Sequence, residues 1–239
     1  MSRADGRGPE DLRPVKYELG YQDWAEGSVL FEMGRTRVLV SASVDENVPR
    51  WIHGTGRGWV TGEYSMLPRA TMERTSREVN KGRPSGRTQE IQRLIGRSLR
   101  AVTDLDKLGE LTVWVDCDVL QADGGTRTAS ITAGYVALAL AFRALRERGT
   151  IATDPLVDAV AGVSCGVLPE GEFLDLTYEE DAAAEVDFNV VMTGAGKLVE
   201  VQGTAEGDPF SREQLGGMLD LAESGIRELL EIQRQALAE

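Results

Sequence analysis

Hydrophobic periodicity divides the chain into alternating and helical stretches. Residues 111–120 alternate, with Leu111, Val113, Val115 and Cys117 on one face and Thr112, Trp114, Asp116 and Asp118 on the other. That pattern predicts a half-buried strand. Residues 28–33 and 36–44 read as two strands around a Gly34-Arg35 turn, and residues 59–66 as a third, because β-branched and apolar residues dominate each run. Residues 159–168 and 173–176 predict strands, and residues 186–192 and 198–203 an antiparallel pair joined by Thr193-Gly194-Ala195-Gly196-Lys197.

Three helices are expected. Over residues 87–102, Ile91, Leu94, Ile95, Leu99 and Val102 form one apolar stripe, with Arg93, Arg97 and Arg100 opposite. Residues 126–148 are apolar nearly all round in their middle, which predicts a central buried helix. The last helix starts after Pro209, with Ser211 and Gln214 as a capping box, and Leu215, Met218, Leu219, Ala222, Ile226, Leu229 and Leu230 form its inner stripe. Residues 1–13 read as an irregular arm. Residues 68–85 lack apolar periodicity and predict a long loop of the kind that is functional or disordered. Paired strands with helices crossing one face make an α+β fold, and with no Pro/Ser linker residues 1–239 are expected to form a single domain.

Charge changes this picture. The net charge is −13, which argues against bulk affinity for nucleic acid or membranes. Yet residues 69–100 hold nine basic residues (Arg69, Arg74, Arg77, Lys81, Arg83, Arg87, Arg93, Arg97, Arg100) against three acidic ones, a net +6 that leaves −19 for the rest. Such a segment can hold a polyanion in one place. The two cysteines, Cys117 and Cys165, lie in apolar segments without a C-x-x-C pairing and read as buried reduced thiols. The start has no apolar leader, and the longest apolar run, 133–142, is short of a membrane span. A cytoplasmic location without membrane contact is expected. The one histidine, His53, excludes a multi-histidine zinc site and reads as an exposed loop residue.

The candidate chemistry centres on Gln121-Ala122-Asp123-Gly124-Gly125-Thr126-Arg127-Thr128, between the strand at 111–120 and the central helix. Two glycines clear the backbone, and the first helical turn presents free N–H groups and a dipole suited to an anion. Thr126 adds a hydroxyl and Arg127 a guanidinium. The stretch is neither a Walker loop nor a Rossmann fingerprint, and the plain alternative is a strand–helix corner with Arg127 in an ion pair. Arg87 falls toward the apolar side of its helix, where it needs a carboxylate or a phosphate as partner. Arg93, Arg97 and Arg100 are a solvated face or a polyanion contact. Residues 179–187 carry five carboxylates, and Asp187 sits inside a strand pattern, where Asp is a poor fit. Asp181 and Asp187 are a candidate pair for magnesium, which takes one or two carboxylates together with phosphate oxygens.

Together these motifs resemble the bacterial RNase PH family, the phosphorolytic 3′→5′ exoribonucleases related to polynucleotide phosphorylase and the exosome ring. The resemblance is carried by Arg3-x-Asp5-Gly6-Arg7 with Leu12-Arg13-Pro14, by 62–68 (GEYSMLP), by 86–100 (GRTQEIQRLIGRSLR), by Asp123-Gly124-Gly125-Thr126-Arg127, and by Leu176-x-Tyr178-x-Glu180-Asp181 leading to Val186-Asp187-x-Asn189. It covers nearly the whole chain. It implies a ribosomal protein S5 domain 2-like fold, with mixed sheets and helices packed on one side, assembled as a homo-hexamer, a trimer of dimers. It implies trimming of tRNA precursor 3′ ends by inorganic phosphate, with release of nucleoside diphosphates. By the same resemblance Arg87, Gly125, Thr126 and Arg127 bind phosphate, Asp181 and Asp187 serve Mg2+ and catalysis, and Arg69, Arg74 and Arg77 grip RNA, with Arg93 and Arg97 as further RNA contacts. A catalytically silent ring subunit and a non-enzymatic RNA-binding protein of the S5 fold are the alternatives; the first tends to lose phosphate or metal residues, which all match here, and the second leaves Arg87, Asp181 and Asp187 without a task.

Overall fold

In the computed structural model, residues 3–238 are described. Met1, Ser2 and Glu239, and the side chains of Val79 and Lys81, lie outside the described residues. The expected leaderless start and one cation of the basic segment therefore fall partly outside them.

Five strands make the first sheet: β1 (Val15–Leu19), β2 (Gly27–Met33), β3 (Thr36–Asp45), β4 (Trp59–Met66) and β5 (Thr112–Gln121), in the order β1-β2-β3-β5-β4. All neighbours are antiparallel except β4 and β5. A parallel pair needs a long crossover. Here it runs through the long loop, a 3₁₀ turn at Glu78–Lys81, α1 (Gly86–Arg100) and α2 (Leu105–Leu108). α1 packs closely on β4 because Gly62 has no side chain; a Cβ there would lie 2.6 Å from Ile95. From Val113 onward the β5 alternation is as expected, with Val113, Val115 and Cys117 buried inward and Trp114, Asp116 and Asp118 facing out; Thr112, expected on the outer face, is instead buried, its hydroxyl donating to the Asn47 carbonyl.

α3 (Thr126–Glu147) is the central helix, buried on nearly every side. Among the described residues it is the one helix long and apolar enough to cross a membrane, and 78% of its apolar window is buried inside the protein. It packs on β2, β3 and β5 of the first sheet and on β6 (Val160–Leu168) of the second. The second sheet is completed by β7 (Gly171–Leu174), β8 (Val186–Thr193) and β9 (Leu198–Ala205), in the order β7-β6-β8-β9, all antiparallel.

On β6, Gly162 faces Thr128 of α3, while the Cys165 thiol reaches the Met218 carbonyl of α5 (Arg212–Ala236). Residues three apart on a strand point to opposite faces. The expectation of helices on one side therefore holds for the first sheet, while the second carries α3 on one face and α5 on the other. Buried residues of both sheets and of α1, α3 and α5 form one contiguous core.

Several elements depart from the sequence pattern, among them the short helix α2 and the 3₁₀ turn inside the long loop, neither of which was expected. β1 is a half-buried edge strand with Lys16 and Glu18 turned out, too polar to stand out as a run. The acidic stretch after β7 is not a plain charged turn but α4 (Tyr178–Ala183), capped by a Thr177/Glu180 box. β7 ends at Leu174 rather than residue 176 because Asp175 has φ +52°, the one positive φ outside glycine among the described residues.

Candidate active site

The strand-to-helix junction begins where β5 ends at Gln121. Gly124 and Gly125 then take φ of +76° and +63°, and Gly125 is the N-terminal cap of α3. Their roles differ from the expectation that both clear room for a ligand. A Cβ on Gly124 would lie 2.2 Å from the Leu176 carbonyl oxygen; Gly124 is glycine so that the chain leading to α4 can pass against it. Gly125 lines a cleft of about 250 Å³ together with Arg87, Thr126, Arg127, Asp181 and Asp187. The six residues expected to handle phosphate and metal thus converge from α1, the α3 turn, α4 and β8.

Each is held differently. Arg127 is nearly buried; its Nη1 donates to both Glu90 carboxylate oxygens (3.2 and 3.3 Å) and to Gln202 Oε1 (2.5 Å). The ion pair weighed as the plain reading exists, inside the cleft. Arg87 corrects the expectation of a guanidinium turned into the core: it is exposed, the buried place in that turn belongs to Thr88, and Arg87 makes no hydrogen bond or ion pair with the described residues. Thr126 is buried and its hydroxyl shares a 2.8 Å hydrogen bond with Tyr64 Oη. The first-turn N–H groups of α3 remain for a ligand.

Asp181 and Asp187 face the two arginines. Burial pushes the Asp187 carboxyl above the ordinary range and the charge of Asp181 adds to this, against the pull of Arg127 and Arg87 and a hydrogen bond from Asn189. Burial likewise raises Asp181, Arg87 and Arg127 oppose it, and Glu206 adds to the rise. One side of the cleft therefore suits an anion and the other a proton or a cation. Two converging, partly desolvated carboxylates are the donor set a hard dication accepts when substrate oxygens and water supply its other positions. Among the described residues no group of three or more metal-ligating side chains exists.

The residues expected to grip RNA are not in the cleft lining. Arg69, Arg74 and Arg77 are exposed on the loop after β4; Met66 at the end of that strand and Thr71 on the loop border the cleft. Arg93 is exposed on α1, and Arg97 is paired with Glu200 of β9. Arg100 has no solvated-face role: it stacks 4.3 Å over Trp59 and donates to the Val60 carbonyl. His53 is exposed and both cysteines are buried and free, as expected.

Sequence reasoning missed Ser164 and Asn189, which also line the cleft. Asn189 was within reach, since it follows Asp187 by two on the same strand and so shares its face. Ser164 pairs with Asn189 across the sheet, a register that the sequence does not display.

Domain 1 of the 3′ exoribonuclease family (RNase_PH) matches residues 11–143, and domain 2 of that family (RNase_PH_C) matches residues 158–225. The chain belongs to the RNase PH family. The Ribonuclease PH of Moorella thermoacetica is 59% identical over all of this chain and 96% of its own length. That of Bacillus subtilis is 57% identical over 99% of this chain and 97% of its own. Among solved structures, a chain of the Archaeoglobus fulgidus exosome with RNA bound to the active site superposes with TM-score 0.79, 24% identity and coverage of 96% and 92%. Rice Rrp46 superposes with the same score at 20% identity, covering 98% and 100%. These two share the RNase PH fold.

Proposed function

We propose that this RNase PH family member is a phosphorolytic 3′→5′ exoribonuclease, a nucleotidyltransferase that trims the 3′ ends of tRNA precursors and releases nucleoside diphosphates. The observation that carries the reading is the meeting of Arg87, Arg127 and the α3 N-terminus with Asp181 and Asp187 in one cleft. Neither a silent ring subunit nor a pure RNA-binding module needs that set.

Inorganic phosphate sits between Arg87, Arg127 and the N–H groups of Gly125 and Thr126, where guanidinium forks and the helix dipole favour it. One of its oxygens attacks the phosphorus of the terminal nucleotide. The new P–O bond makes the diphosphate, the bond to the 3′ oxygen of the preceding nucleotide breaks, and that oxygen leaves with a proton. Because phosphate is the nucleophile, the chain need not supply a serine, cysteine or histidine. Its contribution is positioning and charge stabilisation. The raised proton affinity of the Asp181–Asp187 pair makes these two the acids best suited to the departing oxygen. In their ionised form the same two carboxylates would instead hold magnesium, which would supply positive charge to the leaving group in place of that proton.

Arg69, Arg74 and Arg77, with Arg93, contact the RNA backbone near the mouth. Arg97 joins them only if it exchanges Glu200 for phosphate. A homo-hexameric ring, a trimer of dimers, and a cytoplasmic location complete the reading; family membership supports the first, and the two free buried thiols accord with the second.

The test is end-labelled RNA with a short 3′ extension, incubated with magnesium, with and without inorganic phosphate. Diphosphates released only with phosphate are the expected products. Monophosphates released regardless of phosphate would overturn the mechanism.

A further inference from the structure

The motif Arg3-x-Asp5-Gly6-Arg7, with Leu12-Arg13-Pro14, lies outside the cleft lining, yet its arginines are among the most buried charges in the molecule. Arg3 and Arg13 are 7% and 4% exposed, and Asp175, which they surround, is 1% exposed. Arg13 embraces the Asp175 carboxylate: its Nη2 donates to Oδ1 at 2.6 Å, and its Nε and main-chain N–H both donate to Oδ2 at 2.8 Å. The same guanidinium reaches the other way, donating to the carbonyls of Asp123 and Gly124. Thr36 Oγ1 donates to the Gly124 carbonyl as well, at 2.7 Å, and accepts from the Asp123 N–H.

This grip has a geometric consequence. In a trans peptide the C=O and the following N–H point in opposite directions, and no cis peptide is present among the described residues. Fixing the Gly124 carbonyl on Arg13 and Thr36 turns the Gly125 N–H away from the arm, at the cap of α3.

Arg3 acts on the opposite wall. Its Nε and Nη2 donate to the two Glu180 oxygens at 2.7 and 2.5 Å, and its Nη1 and Nη2 to the carbonyls of Leu174 and Asp175. Glu180 also closes the cap of α4 and precedes Asp181. Burial raises the Glu180 carboxyl, but the hydrogen bonds from Arg3 and Thr177 outweigh it and leave the group below its usual range. Asp175 joins the two halves. Its left-handed backbone is of the kind that persists only where surrounding contacts enforce it.

We infer that the N-terminal arm is a positioning element of the active site. Arg13, Asp175 and Thr36 orient the phosphate-binding turn, and Arg3 with Glu180 sets the helix carrying Asp181 against it. The inference rests on the phosphate reading of the cleft.

The test is steady-state phosphorolysis with phosphate and RNA varied independently, for the wild type, Asp175→Asn, Thr36→Val and Glu180→Gln. Asn tolerates the left-handed conformation, Val keeps the shape of Thr, and Gln preserves the capping box. Asp175→Asn and Thr36→Val are expected to raise the phosphate KM about tenfold, the equivalent of one hydrogen bond, with the RNA KM within about twofold. Glu180→Gln is expected to lower kcat per folded molecule, with the folded fraction read by circular dichroism, by a similar factor with the phosphate KM unchanged; a kcat loss that disappears on this normalisation overturns the role given to Arg3 and Glu180. A merely structural arm would reduce the active fraction, which lowers apparent kcat but leaves KM alone. If Asp175→Asn does not fold, Thr36→Val still probes the same carbonyl. An unaltered phosphate KM in Thr36→Val and in any folded Asp175→Asn, with a phosphate-dependent wild type, overturns the inference alone. A wild type indifferent to phosphate overturns the proposed function and the inference with it.

Discussion

Arg87→Ala separates chemistry from stability more cleanly than any other substitution in the cleft. The side chain is exposed and bonds to none of the described residues, so its loss should change folding stability by about 0.5 kcal/mol or less. At this chain length that is a shift of about 2 °C or less in Tm. If Arg87 instead holds the attacking phosphate, its removal takes away a donor to charge in the transition state, worth about 2.7–4 kcal/mol, or 10²- to 10³-fold in rate. The assay is initial rates on end-labelled RNA across a phosphate titration, beside thermal unfolding followed by circular dichroism. kcat/KM for phosphate should fall about 10²-fold or more while Tm holds. Arg87→Lys, which keeps charge but loses the planar fork, should lie between. Arg127→Ala is the contrast: it strips Glu90 and Gln202 of a nearly buried partner, so activity and stability should fall together, stability by about 1–2 kcal/mol. Wild-type phosphate dependence in Arg87→Ala would refute the assignment.

Asp187 has a folded-state proton affinity above its unfolded value, so its contribution to stability is full below the ordinary carboxylate pKa and lost as pH rises through the folded value. Asp187→Asn should therefore abolish turnover yet raise Tm at neutral pH, and the gain should vanish on acidification; a Tm difference independent of pH would contradict this. Replacing Arg69, Arg74 and Arg77 together with Ala should raise the RNA KM, leave the phosphate KM alone and flatten the log–log salt dependence by about 2, from roughly 0.7 per phosphate contact on single strands. Residues 1–239 are proposed to fold as a single domain, so urea unfolding followed by fluorescence and by circular dichroism should give coincident transitions; two separated midpoints would break the reading.

Most elements were legible because they announce themselves locally. The β5 alternation, the all-round apolar α3 and the Ser211/Gln214 cap of α5 are each set by residues a few positions apart, and each forms where the pattern placed it. The Thr177/Glu180 cap of α4 was equally local, but the carboxylates around it read as a solvated run and hid it. Arg87 was misplaced for a related reason. A helical wheel assigns an angle, while a residue in the first turn of α1 projects past the end of the core, where the same angle meets the open cleft rather than packed side chains.

What stayed illegible is non-local. Arg3 meets Glu180 across 177 positions and Arg13 meets Asp175 across 162, and no periodicity encodes such a pair. Burying Arg3, Arg13 and Asp175, with Glu180 half-buried beside them, is costly unless each is paired and hydrogen-bonded; apolar side chains of similar volume would fill the space at less cost. An apolar replacement could not orient the Gly124 carbonyl, however, and could not grip the segment before Asp181 at the same time. The glycine at 124 belongs to that arrangement too, since any side chain there would push Leu176 and Thr177 off the turn. The arm, the turn and α4 are therefore coupled, and a substitution in one should be felt as altered phosphate affinity in another. Thr36→Val combined with Asp175→Asn should then cost less in phosphate KM than the product of the two single effects, because both act on one peptide plane.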